Sequence, residues 1–190
     1  MESELSTLLT ISNAHMSVYQ LTVEYGTKLF SLIESQAANL PPSDTMADMY
    51  ETVLAKAVQF GMHRYEVSNY ARSVDKEGVH NKHYWSGSSY LGIGPGSHSR
   101  YFCSDTDNDH HHYHRRVAAF NTRDPNSYLT MVNSPAAPGL AVAKYEYCSV
   151  PEYINELVVL GLRTVAGVSD RQLQLASNGS ASLSNVFINK

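Results

Sequence analysis

The run His80-Asn81-Lys82-His83-Tyr84-Trp85, followed closely by Tyr90-Leu91-Gly92-Ile93-Gly94-Pro95-Gly96-Ser97-His98-Ser99, decides how this chain is read. It holds the chain's only tryptophan. Gly92, Gly94 and Gly96 alternate along what reads as a short strand over residues 90–94, entering a Gly-Pro-Gly turn. Without a Cβ at those positions the backbone can approach a ligand or a neighbouring strand closely. Tyr84 and Trp85 could cover a large planar group that an imidazole ligates or hydrogen-bonds. The plainer reading is a tight backbone crossing beneath a helix, with packed aromatic side chains around it.

Outside that stretch, the composition narrows the function classes. The chain has 190 residues, 43% hydrophobic and 17% charged, which suits an ordinary globular core rather than a disordered tail. A net charge of −4 supplies no basic surface for nucleic acid. No apolar run approaches the roughly 18 residues that span a bilayer. The start, Met1-Glu2-Ser3-Glu4-Leu5, is acidic and lacks both a positive leader and an apolar segment, so the chain as written reads as cytoplasmic. A mitochondrial location follows if a presequence lies upstream. Cys103 and Cys148 are the only cysteines and stand far apart, as two reduced structural thiols.

The periodicities predict a mixed α/β segment. A helix is expected over residues 2–13, a strand over 15–24, and a short helix carrying Leu29, Phe30, Leu32 and Ile33. Ser43 or Asp44 caps a longer helix with Met46, Met49, Tyr50, Val53, Ala57 and Phe60 on one stripe and Gly61 as its stop. A strand follows over residues 64–69, a strand over 116–120, and a helix from Pro125 through Met131. Residues 104–114 read as a polar solvent loop and 134–139 as a second loop. A last helix starts at Val150-Pro151-Glu152 and breaks at Gly161-Leu162-Arg163-Thr164. The tail over 177–190 is polar and either frays or marks the cut edge of a larger domain.

Five blocks, in order, carry a resemblance: residues 15–24 with Gly26-Thr27; Tyr65-Glu66-Val67-Ser68-Asn69-Tyr70-Ala71-Arg72; His80-Asn81-x-x-Tyr84-Trp85; the Tyr90 to Ser99 stretch; and Leu160-Gly161-Leu162-Arg163-Thr164. Their order and spacing are similar to the C-terminal half of the oxygen-independent coproporphyrinogen III oxidase-like radical SAM proteins. Within that group the chain resembles the HemW branch of heme chaperones. The resemblance covers most of residues 14–170.

The resemblance implies the C-terminal part of a partial TIM-like radical SAM barrel over residues 1–133, and the start of a HemN-type C-terminal domain over 134–190. It implies heme binding and delivery to a hemoprotein client. In this reading His80 is the axial ligand or heme contact, Asn81 a hydrogen-bonding orienter, and Tyr84 and Trp85 the aromatic wall. Gln20, with Gly92, Gly94, Gly96 and Ser97 or His98, would lie near an S-adenosylmethionine pocket, at strand ends as barrel sites do. The family's CxxxCxxC motif for a 4Fe-4S cluster has no counterpart here, because two distant thiols cannot replace three clustered thiolates. Radical chemistry by this polypeptide alone is therefore not expected. Two alternatives stand beside heme delivery: oxidative decarboxylation of coproporphyrinogen III when the cluster-bearing half is present, and a non-functional fragment or bare scaffold with exposed edges.

Two side features carry other readings. His110-His111-His112 with His114 could chelate a metal adventitiously, with Asp109 the only nearby carboxylate. Glu24 and Glu66 are candidate barrel-mouth carboxylates, or partners of a nearby Arg or Lys.

Overall fold

The computed structural model describes residues 1–12, 14–104 and 114–187. The chain divides into two compact units, Met1–Val79 and His80–Lys190.

In the first unit, α1 (Glu2–Ile11) turns its buried Leu5 and Leu9 toward α3 (Ser43–Gln59), whose Val53 and Ala57 are buried in turn. These side chains join Met16, Met62 and Tyr70 in one apolar core. Between the two helices the chain forms β1 (His15–Ser17) and α2 (Lys28–Glu34). Thr27 caps α2 by accepting the Phe30 N–H, at 3.2 Å. After α3 come β2 (His63–Glu66), β3 (Asn69–Ala71) and a short 3-10 turn, Val74–Lys76. The sheet order is β1-β3-β2 and both pairings are antiparallel.

Three expectations change here. The strand expected over 15–24 pairs only from His15 to Ser17, because β3 offers three partner residues. Val18 adds one further hydrogen bond, to the Ser68 carbonyl at 2.8 Å. The strand expected over 64–69 is a tight hairpin. Ser68 takes a left-handed φ of 71°, which reverses the chain between β2 and β3. Ser43 is the first residue of α3 rather than its cap, which is Pro42 and offers no side-chain acceptor. Gly61 does stop the helix, at φ 74°.

The second unit opens with α4 (Val79–Trp85) and continues through β4 (His98–Ser104), β5 (His114–Asn121), α5 (Pro125–Val132) and β6 (Val142–Cys148). Then follow α6 (Val150–Gly161), α7 (Asp170–Ala176) and α8 (Leu183–Phe187). The sheet order is β4-β5-β6, again wholly antiparallel. Leu157 of α6 and Leu173 of α7 are fully buried, as are Val117 and Ala119 of β5. Two capping boxes, Ser149 with Glu152 and Ser169 with Gln172, start α6 and α7.

The architecture is thus mixed α/β, as expected, built on two small antiparallel sheets. Residues 133 and 134 fall between α5 and β6, inside the second unit. The strand expected over 90–94 reduces to one bridge, Tyr90 to Arg100. The polar tail, read from sequence as fraying or as the cut edge of a larger domain, contains α8 and the buried Ser177 and Ala181. The histidine run His110 to His112 and Asp109 lie outside the described residues.

Candidate functional site

A seven-residue helix displays the His80 motif, and helical spacing sorts its side chains into two pairs. His80 and Tyr84 stand four residues apart on one face, Asn81 and Trp85 on the next. The His80 ring meets the Tyr84 ring edge-on at 4.7 Å between centroids, and Tyr84 in turn meets Tyr90 at 4.4 Å. His80 is exposed and neither of its ring nitrogens has a hydrogen-bond partner among the described residues. His83 differs: its Nε2 bonds the Ser89 carbonyl at 2.8 Å.

On the other face, the Arg163 guanidinium lies 4.8 Å from the Trp85 ring centroid, a cation–π contact. The Trp85 indole N–H is buried without a hydrogen-bond partner among the described residues. Two of the blocks that carry the family resemblance, the His80 motif and Gly161-Leu162-Arg163, therefore meet through these side chains. Gln172 of α7 adds a bond to the Ser86 carbonyl at 3.3 Å, holding the end of α4.

The glycine stretch is a loop clasped around Asn121. The Asn121 amide donates to the carbonyls of Gly92 at 3.3 Å and Gly94 at 3.2 Å, and to Ser97 Oγ at 3.0 Å. Ser97 Oγ donates to the Gly94 carbonyl at 2.7 Å, and the Gly96 N–H to the Thr122 carbonyl at 2.8 Å. A Cβ on Gly92 would overlap the His98 backbone, whereas Gly94, at φ 101°, faces open space. The close approach at Gly92 is thus to a neighbouring strand. His98 tilts against Phe120 at 5.6 Å. Sequence reading missed Asn121, whose only signal was its place at the end of a predicted strand.

Gln20 lies in the first unit, on the rim of a cleft of about 390 Å³ lined by Tyr19, Leu21, Pro41, Met49 and Tyr50. Its amide approaches Met46 Sδ at 3.5 Å. Glu66 is 1% exposed and accepts the Asn69 amide at 2.5 Å, while Asn69 Oδ1 accepts the Ser17 hydroxyl at 2.5 Å. Glu24 is exposed.

A second cluster was not foreseen. Arg116 of β5, its side chain 2% exposed, pairs with Glu156 Oε2 at 3.4 Å and donates to the Gly87 carbonyl at 2.9 Å. Its guanidinium sits 4.3 Å from the Tyr153 ring centroid. Arg100 reaches the other Glu156 oxygen at 3.2 Å. Burial pushes the Tyr153 hydroxyl and the nearby Cys148 thiol upward in pKa.

Comparison with known proteins bears on these motifs. The chain is 34% identical to radical S-adenosyl methionine domain-containing protein 1, mitochondrial, of Danio rerio, over 98% of its length and 40% of the relative's. It is 32% identical to the heme chaperone HemW of Bacillus subtilis over 98% of its length and 44% of that protein's. These homologues match the chain to the HemW-like family. A mouse member of the family, also named radical S-adenosyl methionine domain-containing protein 1, mitochondrial, is 36% identical over 90% of the chain and 37% of its own length. The chain therefore spans about two fifths of the length of these relatives. No family model and no solved structure matches.

The donor set sets a limit on cofactors. Cys103 on β4 and Cys148 on β6 flank β5 and are the chain's only thiols. They do not fit a 4Fe-4S cluster that takes three clustered thiolates, and no catalytic step is assigned through one. Among the described residues no group of three or more His, Cys, Asp or Glu side chains is arranged to hold a metal ion. Nor is any described helix long and apolar enough to cross a membrane.

Proposed function

We propose that the chain binds heme as cargo on α4 and serves heme delivery to a hemoprotein client. The observation that carries this reading is the state of His80, an exposed imidazole steadied by Tyr84 with neither ring nitrogen hydrogen-bonded among the described residues. A neutral imidazole nitrogen is a good axial ligand for heme iron. His83, two positions before Trp85, is already tied to a carbonyl and is the poorer candidate. The name heme chaperone, borne by the Bacillus relative, supports the same reading.

In detail, His80 is the iron ligand, Tyr84 supplies an apolar edge beside it, and Asn81 and Trp85 shape the adjoining face. Gln20, Gly92, Gly94, Gly96, Ser97 and His98 are assigned to the neighbourhood of S-adenosylmethionine in a longer protein that brings the cluster ligands. In that protein residues 1–133 close the TIM-like barrel and residues 134–190 begin the HemN-type domain. The order of the five sequence blocks supports these assignments. The mitochondrial names of the animal relatives support a mitochondrial setting, and the bacterial relative a cytoplasmic one. The relatives' names do not favour coproporphyrinogen oxidation.

The test is a hemin titration followed at the Soret band, comparing wild type, His80→Ala and a deletion of residues 110–114. Saturable one-to-one binding that His80→Ala abolishes and the deletion spares is expected. Binding lost with the histidine loop, or none by a folded chain, would remove the reading.

A further inference from the structure

A cavity of about 900 Å³ opens between the sheet of the second unit and the helices α6 and α7. Phe102, Arg116 and Cys148 stand in register across β4, β5 and β6, so all three project from one face of the sheet. That face meets Tyr153 of α6. The Phe102 and Tyr153 rings lie edge-on at 5.7 Å, and the Arg116 guanidinium sits 5.6 Å from the first centroid and 4.3 Å from the second. Tyr147 and Leu175 extend the apolar wall, with Arg115 at 5.3 Å from the Tyr147 centroid. Walls of this kind suit a planar aromatic body, and the volume falls within the roughly 300–1,000 Å³ of small-molecule sites.

The charge at the cavity floor does not balance. Arg100 and Arg116 share a single carboxylate, that of Glu156, at 3.2 and 3.4 Å. Among the described residues no other acid pairs with either guanidinium. Glu152, the neighbouring acid on α6, turns its carboxylate to the Ser149 N–H and hydroxyl, at 2.8 and 2.7 Å. The cluster therefore carries one positive charge in excess, around an Arg116 side chain that is 2% exposed. Excess charge held out of water is costly until an anion meets it. Nε and Nη1 of Arg116 are engaged by Glu156 and the Gly87 carbonyl, and its Nη2 has no hydrogen-bond partner among the described residues. A guanidinium with donors to spare is suited to a carboxylate.

We propose that this cavity binds a planar aromatic carboxylate. The ring system lies against Phe102, Tyr147 and Tyr153, and the carboxylate meets Arg116 and neutralises the charge that Arg100 and Arg116 hold in excess of Glu156. The proposal does not rest on heme binding, because none of the described lining residues belongs to α4.

Fluorescence anisotropy of 1-pyrenebutyrate, titrated with the full chain without heme, tests it beside 1-pyrenebutanol, which has the same ring and tether but a neutral hydroxyl. Wild type binds the carboxylate saturably and one-to-one, and the alcohol about tenfold or more weakly. Arg100→Gln brings the cluster charge to zero and keeps the Arg116–Glu156 pair, so the preference for the carboxylate falls to about threefold or less. Glu156→Gln adds a second excess charge and widens the preference beyond the wild-type value, a gain that a misfolded chain would not produce. Far-UV circular dichroism confirms that the variants are folded, and if Glu156→Gln is not, Arg100→Gln decides alone. A wild-type chain that pyrenebutyrate fails to saturate at submillimolar concentration overturns the proposal. So does equal binding of the two probes, or a preference that does not follow the charge of the cluster.

Discussion

Replacing Glu156 by glutamine tests whether the second unit is held by its buried charge cluster. The Arg116 side chain is 2% exposed and Glu156 is 26% exposed, so the carboxylate is the partly hydrated member of the pair. Removing one partner of a fully buried ion pair costs about 3–5 kcal/mol, because the other charge is left without compensation. Here three features reduce that figure. Glutamine keeps an acceptor oxygen, Arg116 keeps the Gly87 carbonyl at 2.9 Å, and its guanidinium keeps the Tyr153 face at 4.3 Å. The expected destabilisation is therefore about 2 kcal/mol, below the fully buried limit.

Urea unfolding followed by the fluorescence of Trp85 measures it directly. Trp85 is the only tryptophan and lies two residues before Gly87, whose carbonyl Arg116 holds, so the signal reports the second unit. In a double-mutant cycle with Arg116→Met, the paired change costs less than the sum of the single ones, because the buried Arg116 charge is no longer left behind and only the partly exposed Arg100 loses its carboxylate. A Glu156→Gln shift under about 0.5 kcal/mol, or strict additivity in the cycle, would refute the reasoning.

Other outcomes follow from the same geometry. Gly92→Ala destabilises the second unit by about 1–3 kcal/mol, since its Cβ would meet the His98 backbone, which cannot swing away as a side chain could; the same urea assay reads this. Tyr65→Phe removes a hydroxyl that bonds His15 at 2.8 Å and accepts the Gly78 N–H at 2.9 Å, and thermal melts show a loss of about 1–3 kcal/mol. Bonds from the Ser149 N–H and hydroxyl hold the Glu152 carboxyl below its ordinary value, so its stabilising effect is present above the ordinary glutamate range and fades as pH falls through the lowered value. NMR titration of Ser149→Ala finds that carboxyl moved back upward. Because burial raises the Cys148 thiol, iodoacetamide alkylates it slowly at neutral pH and unfolding accelerates the reaction, as mass spectrometry reads out.

Local signals made much of the fold legible. The apolar stripe of α3 and its glycine stop, the helix opened by Pro125 and the helix start at Val150-Pro151-Glu152 all follow from spacing within a few residues. What stayed hidden depends on distant partners. The hairpin between β2 and β3 turns on Ser68, an ordinary residue whose left-handed φ no composition rule announces. The β6 strand, exposed from Val142 to Tyr147 and alternating charged with aromatic side chains there, carries no buried face for periodicity to detect. The His80 motif was visible as residue types. That Arg163 lies over Trp85, or that His83 and not His80 is tied to a carbonyl, required the folded chain.

The clasp at Asn121 has a kinetic consequence. A loop with almost no ladder bonds of its own takes its shape from one amide that lies 24 to 29 residues further along the chain. Closing contacts over that separation costs chain entropy before any bond rewards it. The glycine loop should therefore be among the last parts of the second unit to order during refolding. Its amide protons should gain protection from exchange only after β5 has docked.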